Sequence, residues 1–565
     1  MAAGSATASD QRSVPGVLPA LLLALLLCVP SLFARGLLPP DESRYADVAL
    51  AMRETGEWIV PQLHQKWYFE KGPAFFWAID ALEAVGVPLE WGPRAVSLLA
   101  ALGLIGLLPT LARSAGLAPD RARRAGLILA TAPLFAIYAQ LGYIDLFMGF
   151  FVAAAAAAKL ARDATPEGDR ARGRWWRLVL LEGVAIGVAL LTKGPVVLLF
   201  AFGLRIGAAC ARRDEGRDAK QRVRGRFDRA DFAVFGIAVA IAAAWLVAAG
   251  RTTGWDYVRQ ITVGQIERRV GGTERKHHVP FGFQIGVVLV GGLPWSLLAL
   301  GTVRGWAMKL KSKQWSAALR PPPEFAALVG WAVLPVVVIA CLPSQQPHYC
   351  LPTLPAFALL AAEGLARPER LRKGAGGAAA AIALAFAALL LTIAAAAPAL
   401  LERARIDPAL ARRLGDDAFL RGAFALAGIG IVMAVFWKRK SGRTNPALRT
   451  LAGLTAFLLA LPLIAWRCDE FMRARGLLEA DAVRHAKRIV AVTGLRCSLR
   501  IASGLRLIEE PDGRPLEQMI GADPELICIE EREVLRRLGL LDRVTVVASG
   551  FLRGDEVLAV RGPLR

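Results

Sequence analysis

The polar side chains best suited to chemistry fall in a few short segments, each beside proline or aromatic residues. LLPPDESRY puts Asp41, Glu42 and Arg44 on one turn directly after Pro39-Pro40. A carboxylate in such a place can act as a general base, and an arginine beside it can hold an anion. Asp41 also sits where a helix N-cap belongs and Gly56 where that helix would stop, so a capping reading stands beside the chemical one. In YFEKGP, Glu70 and Lys71 read as a phosphate-binding lysine next to a metal-ligating or orienting glutamate, or as a solvated pair. Asp145, flanked by Tyr143 and Leu146, is either a helix cap or a site residue. Lys193, between Thr192 and Gly194-Pro195, reads on its own as a snorkelling lysine. The segment 251–280 gathers Arg268, Arg269, Arg275 and Lys276 with His277 and His278, a cluster suited to a bound phosphate group or to anionic lipid headgroups. SQQPHYCLPTLP places His348 and Tyr349 among Pro343, Pro347, Pro352 and Pro355, a density of proline tolerated where backbone lines a cavity.

These segments have to be positioned by membrane helices. Of 565 residues 55% are hydrophobic, and the mean hydropathy is +0.44. The apolar residues come in blocks, which excludes disorder, collagen and a disulfide scaffold. A spanning helix needs about 20 mostly apolar residues. Thirteen runs qualify, the first near 15–35 and the last near 450–466, with a closely coupled pair at 178–192 and 194–210. The first is expected to stay as a helix rather than to be cleaved as a signal. A formal charge of +22 would suggest nucleic acid in a soluble protein. Here the basic residues concentrate in alternate loops, such as Arg121, Arg123 and Arg124, or Arg222, Arg224 and Arg226, which is the pattern of a cytoplasmic N-terminus. The charge is therefore mostly topology, and no nucleic-acid partner is expected. All the polar segments above then lie on the outer side. Loop 36–92 is expected to carry two membrane-surface helices, the first with Tyr45, Val48, Ala49 and Met52 on its apolar face. The seven cysteines show no metal-ligand spacing. The chain divides into a transmembrane domain, 1–466, and an outer tail, 467–565, in which short apolar runs alternate with helix-like stretches as in a small α/β domain.

The ordered set DESRYA, YFEKGP, the Asp145 turn, LLTKGP, HHVPF, LPWS and PHYCLPTLPA resembles the bacterial membrane glycosyltransferases related to aminoarabinose transferase and, more distantly, the protein O-mannosyltransferases. The resemblance covers about residues 15 to 365. It implies a GT-C fold: an all-α polytopic protein of the bacterial inner membrane, here with about 13 transmembrane helices and a small periplasmic α/β domain. It also implies a polyprenyl-phosphate sugar donor used at the periplasmic face. Carried over residue by residue, it makes Asp41 and Asp145 the catalytic acids. It gives Lys71 a contact to the lipid phosphate and lets Glu70 help hold a divalent metal, the candidate cofactor. Lys193, His348 and Tyr349 match further motif positions. Glu42, Arg44, Arg268 and Arg269 are the remaining expected substrate contacts. Where relatives have a Glu-His pair followed by Arg, this chain reads Val263-Gly264-Gln265-Ile266-Glu267-Arg268-Arg269. The missing histidine leaves His277 or His278 as substitutes in a metal site with Glu70.

The residue types suit such a transfer. A lipid phosphate leaves as an anion and needs cations rather than an acid. The acceptor hydroxyl needs a base, which Asp41 or Asp145 supplies, and the transition state has oxocarbenium character. Lipid A, another envelope glycan or a protein hydroxyl would each suit as acceptor. The rival reading is a lipid-linked-sugar transporter or flippase, which would carry charges near mid-membrane and paired broken helices.

Overall fold

The computed structural model of the chain describes residues 16–166 except 39, 173–212, 229–267 except 266, 279–311, 323–366, 387–396, 417–436, 480–491, 515–562 except 524, 553 and 554, and isolated positions elsewhere. The fold is mainly helical. After α1 (Leu18–Ala34) the first loop forms α2 (Asp41–Thr55), a small hairpin of β1 (Gln62–Leu63) and β2 (Lys66–Trp67), and α3 (Ala74–Ala84). The bundle continues with α4 (Gly92–Ser114), α5 (Pro119–Thr131), α6 (Pro133–Ala139), α7 (Ile144–Asp163), α8 (Gly173–Lys193) and α9 (Val196–Arg212). Then come α10 (Arg229–Thr253), α11 (Trp255–Arg259), α12 (Phe283–Gly291), α13 (Trp295–Lys311), α14 (Pro323–Ala340), a 3₁₀ turn (Pro347–Thr353), α15 (Leu354–Gly364) and α16 (Ala418–Phe436).

Among the described residues, α4, α7, α8 and α10 are long and apolar enough to cross a membrane, and α12 with α13 makes a fifth if that bent pair is one span. Two expected spans differ in shape. The run at 125–141 splits into α5 and α6 because Pro133 has no N–H to donate to the preceding turn. The run at 281–302 breaks at Gly291-Gly292-Leu293-Pro294, where the chain bends by 117°. The expected span at 375–398 is described in part, with a short apolar helix at Ala387–Ala396, and the one at 450–466 falls largely outside the described residues.

Small residues let the helices approach closely. A Cβ on Gly330 of α14 would lie 2.2 Å from the Gly203 carbonyl oxygen of α9. The first loop has its own core: Tyr45, Val48, Ala49 and Met52 of α2 pack with Phe75, Phe76 and Ile79 of α3 and with Val96 and Ile144. That apolar face was expected to meet lipid. It meets protein instead, and all four residues are buried. Gly56 ends α2 at φ 70°, as its position suggested.

Ionisable side chains also lie within the helices, which the rival transporter reading requires and the sequence did not reveal. Arg162 of α7, Glu182 of α8, Arg205 of α9 and Asp231 of α10 form one buried network. Arg162 is 2.5 Å from Asp231 and 3.3 Å from Glu182, while Arg205 pairs with Glu182 and lies 3.1 Å from Asp231. Two arginines and two carboxylates neutralise one another and tie four helices together. Glu182→Ala would leave two buried guanidinium groups sharing the Asp231 carboxylate, a loss of about 3–5 kcal/mol. A marked fall in melting temperature in detergent is expected, and an unchanged one would contradict the pairing.

In the tail, β3 (Ile489–Ala491), β4 (Ile527–Glu531), β5 (Thr545–Leu552) and β6 (Asp555–Arg561) form a four-stranded sheet in the order β3-β4-β6-β5. β3 runs parallel to β4, and the other two pairings are antiparallel. Short helices at Asp481–Arg484, Leu516–Ala522 and Arg532–Arg537 accompany the strands.

Candidate active site

Asp41 is the first residue of α2, and the N-cap is Pro40, with no side-chain capping bond. The capping reading of Asp41 is thereby overturned. Its carboxylate instead pairs with Arg44 one turn on, and Arg44 reaches across to Glu70, Nη1 to Oε2 at 3.3 Å. The Tyr68 hydroxyl donates to the same Glu70 oxygen at 3.2 Å. Asp41 and Arg44 retain partial access to solvent, and the Glu70 side chain is about half exposed.

Glu42 does not line this opening, contrary to the sequence expectation. Its carboxylate is fully buried and accepts from Arg35 at 2.7 and 2.8 Å, from the Leu38 N–H at 2.8 Å and from the Gly142 N–H at 2.8 Å. Burial pushes its pKa up, but the Arg35 charge and hydrogen bonds outweigh that and leave it below the usual value. Glu42 therefore fixes the junction between α1, α2 and the turn before α7. Arg94 of α4 completes the junction by donating to the Ser31 and Arg35 carbonyls at 2.8 and 2.7 Å.

Asp145 lies in the first turn of α7 with no capping bond, so it too is not a cap. It is fully buried. Lys193 Nζ, at the last residue of α8, donates to Asp145 Oδ1 at 2.5 Å, and His348 Nε2 lies 3.5 Å from Oδ2. The Lys193 side chain is 5% exposed, which overturns the snorkelling reading: the ammonium turns inward and rests 4.4 Å from the centroid of the Tyr349 ring. The His348 ring stands against Tyr143, Tyr349 and Tyr138, with centroids 4.9, 5.1 and 5.7 Å away. Burial holds the imidazole down to about 4, against the pull of Asp145, so it is neutral at pH 7. The charges of Asp41 and Lys71 also act on it, which ties the α2 group and the α7–α8 group into one electrostatic site.

Lys71 is half-buried, and the loop that carries it is clamped on several sides. Gly72 packs so closely on α8 that a Cβ there would lie 2.1 Å from the Leu191 carbonyl oxygen. Gln265 donates to the Phe69 carbonyl at 2.6 Å, and the Tyr257 hydroxyl to the Tyr68 carbonyl at 3.3 Å. The chain segment after α11 thus leans on the Lys71 loop. Arg268, Arg269, His277 and His278 lie outside the described residues.

Among the described residues no three metal-type ligands converge. Glu70 is engaged by a guanidinium and a phenol, and its expected metal-ligand partners His277 and His278 lie outside the described residues.

Several positioning residues were invisible in the sequence. Arg35 and Arg94 stand at the edges of apolar runs, with nothing local to mark them. Gln345 is buried and donates to the Ala340 and Leu342 carbonyls at 3.2 and 2.6 Å, while its Oε1 accepts from the Gln284 N–H at 3.2 Å. It thereby fixes the segment that presents His348. Its neighbours in SQQPHY were the available signal.

Comparison with known proteins bears out the resemblance. The family described as dolichyl-phosphate-mannose-protein mannosyltransferase matches residues 16–222. A Pseudomonas paraeruginosa protein named undecaprenyl phosphate-α-4-amino-4-deoxy-L-arabinose arabinosyl transferase is 30% identical over 347 residues, 60% of this chain and 57% of that one. A protein of the same name from Serratia proteamaculans is 26% identical over 353 residues, 61% of this chain and 58% of that one. The matches thus span under two thirds of those relatives' length. At the level of fold the likeness is nearly complete. The crystal structure of ArnT from Cupriavidus metallidurans bound to undecaprenyl phosphate superposes with a TM-score of 0.72 at 20% identity, covering 97% of this chain and 98% of that one. An Archaeoglobus fulgidus oligosaccharyltransferase reaches 0.50 at 11% identity, covering 92% and 69%. The chain has the ArnT fold.

Proposed function

We propose that this chain is a glycosyltransferase that moves a sugar from a polyprenyl-phosphate donor to an envelope acceptor at the outer face of the bacterial inner membrane. One observation carries the reading. Two acids and two lysines, drawn from α2, the α3 approach, α7 and α8, converge with His348 on one end of the helical bundle. The names of the similar proteins support a lipid-linked sugar as donor, and the fold they share supports the same placement of parts.

Lys71 contacts the donor phosphate and stabilises the charge that develops as the bond from the anomeric carbon to the phosphate oxygen breaks. Arg268 and Arg269, which lie outside the described residues, are assigned to the same anion from the sequence alone. Asp145 is already matched by Lys193 and lies against a neutral His348, so it is best suited to orient the acceptor rather than to take its proton. Asp41, with one partner and partial access to solvent, removes the proton from the acceptor hydroxyl as that oxygen attacks the anomeric carbon. The products are the glycosylated acceptor and a free polyprenyl monophosphate.

About thirteen spans, a cytoplasmic N-terminus and a periplasmic α/β tail complete the proposal, supported by the alternation of basic loops. The buried charges of α7 to α10 do not favour the transporter reading, because they pair with one another across the helices. Incubating the purified protein with extracted polyprenyl-phosphate sugars and membrane lipids or glycans should give an acceptor heavier by one sugar on mass spectrometry. An unmodified acceptor pool together with intact donor would count against transfer.

A further inference from the structure

We propose that Asp47 and His64, outside the motifs that suggested the function, are positioning residues that hold the Lys71 loop in register with the donor phosphate. The inference rests on the reading of Lys71 as the phosphate contact. β1 and β2 pair Leu63 with Lys66 and Gln62 with Trp67, which leaves His64 and Gln65 as a two-residue turn. Both have positive φ, 54° and 62°. A hairpin turn of this kind ordinarily uses Asn-Gly, because other residues resist the left-handed region. Here neither turn residue is Gly or Asn, so something outside the turn must hold it.

The His64 side chain is turned inward, 5% exposed, with Nε2 3.3 Å from Oδ2 of Asp47, whose side chain is fully buried. Asp47 stands on α2 one turn beyond Arg44, which stands one turn beyond Asp41. Arg44 lies 3.3 Å from Glu70, and His64 lies 3.3 Å from Asp47. The helix that presents the proposed base therefore grips both ends of segment 64–70. Between the grips the Tyr68 N–H donates to the Pro61 carbonyl at 2.9 Å, closing the base of the hairpin. Lys71 follows directly, and Gly72 is wedged on α8. With Gly72 fixed on one side, a shift of the hairpin is passed along 68–70, against the hold of Tyr257 and Gln265, to Lys71. A displacement of about 1 Å at a charge-assisted contact is enough to matter.

The test uses the full-length protein in detergent with a polyprenyl phosphate as the binding probe, beside donor-dependent transfer kinetics. His64→Ala should weaken binding of the probe about tenfold and raise the donor KM by a similar factor, with kcat at saturating donor changed by less than about twofold. The double variant His64→Asn with Gln65→Gly relieves the turn but removes the imidazole. It should melt at or above the wild-type temperature and still bind weakly. Asp47→Asn, which keeps an oxygen facing His64, should bind within about threefold of wild type. A double variant that binds as tightly as wild type would overturn the proposal, because the turn alone would then set the loop. Lys71→Ala run in parallel separates the two ideas. If it binds weakly while all His64 variants bind normally, the phosphate reading stands and the positioning pair falls. If Lys71→Ala itself binds normally, both fall.

Discussion

Asp41→Asn is expected to cut transfer by about 10²–10⁴-fold, the usual contribution of a general base, while leaving the melting temperature close to wild type. The structure sharpens the reason. The side chain caps nothing, and its one described partner is Arg44, to which an amide oxygen can still accept a hydrogen bond. Stability and rate therefore separate at this residue. Asp41→Ala gives up only an i, i+3 ion pair, roughly 0.2–0.5 kcal/mol, so it should fold as well and be equally inactive. Turnover in Asp41→Asn within a few-fold of wild type would move the base to Asp145. Asp145→Asn should behave differently from Asp41→Asn, because it leaves the Lys193 ammonium buried without its counter-charge. A loss of stability together with activity is expected there.

The second large effect is at Lys71. Lys71→Ala should lose about 1.5–3 kcal/mol of affinity for polyprenyl phosphate, roughly ten- to 150-fold, because a charge-assisted contact to a phosphate oxygen disappears. The fold should survive, since the loop is held by Gly72, Gln265 and Tyr257 rather than by the lysine. Titration of the purified variant with the lipid phosphate, read by tryptophan fluorescence or calorimetry, measures it. Wild-type affinity would remove Lys71 from the site.

Much of this arrangement was legible from residue type and position. Asp41, Glu70, Lys71, Asp145, Lys193 and His348 all stood out as polar groups at the ends of apolar runs, and the structure brings their segments to one end of the bundle. What the sequence could not supply was pairing. Lys193 and Asp145 are 48 residues apart, and nothing local in LLTKGP tells a snorkelling lysine from one turned in toward a carboxylate. The same holds for Glu182 and Arg205. Each is a single charge inside an otherwise apolar run, and the partner that makes it tolerable sits on another helix. Glu42 was misplaced for the complementary reason. Its neighbours Asp41 and Arg44 face the opening, and one residue further along a helix turns a side chain by about 100°, here into the Arg35 junction. The hairpin at 62–67 was missed because its turn is His-Gln rather than Asn-Gly, so the usual punctuation was missing. The break near Gly291-Gly292 was missed, although two glycines and a proline within four residues rarely continue a helix.

The measurement that bears most directly on the central claim follows the donor itself. Purified protein is reconstituted into vesicles loaded with a polyprenyl-phosphate sugar, and the lipid fraction is analysed by mass spectrometry with and without an envelope acceptor. The account predicts that wild type releases free polyprenyl monophosphate in step with acceptor glycosylation, and that Asp41→Asn releases none above background. Donor recovered chemically intact but moved to the opposite leaflet would contradict it and point to transport.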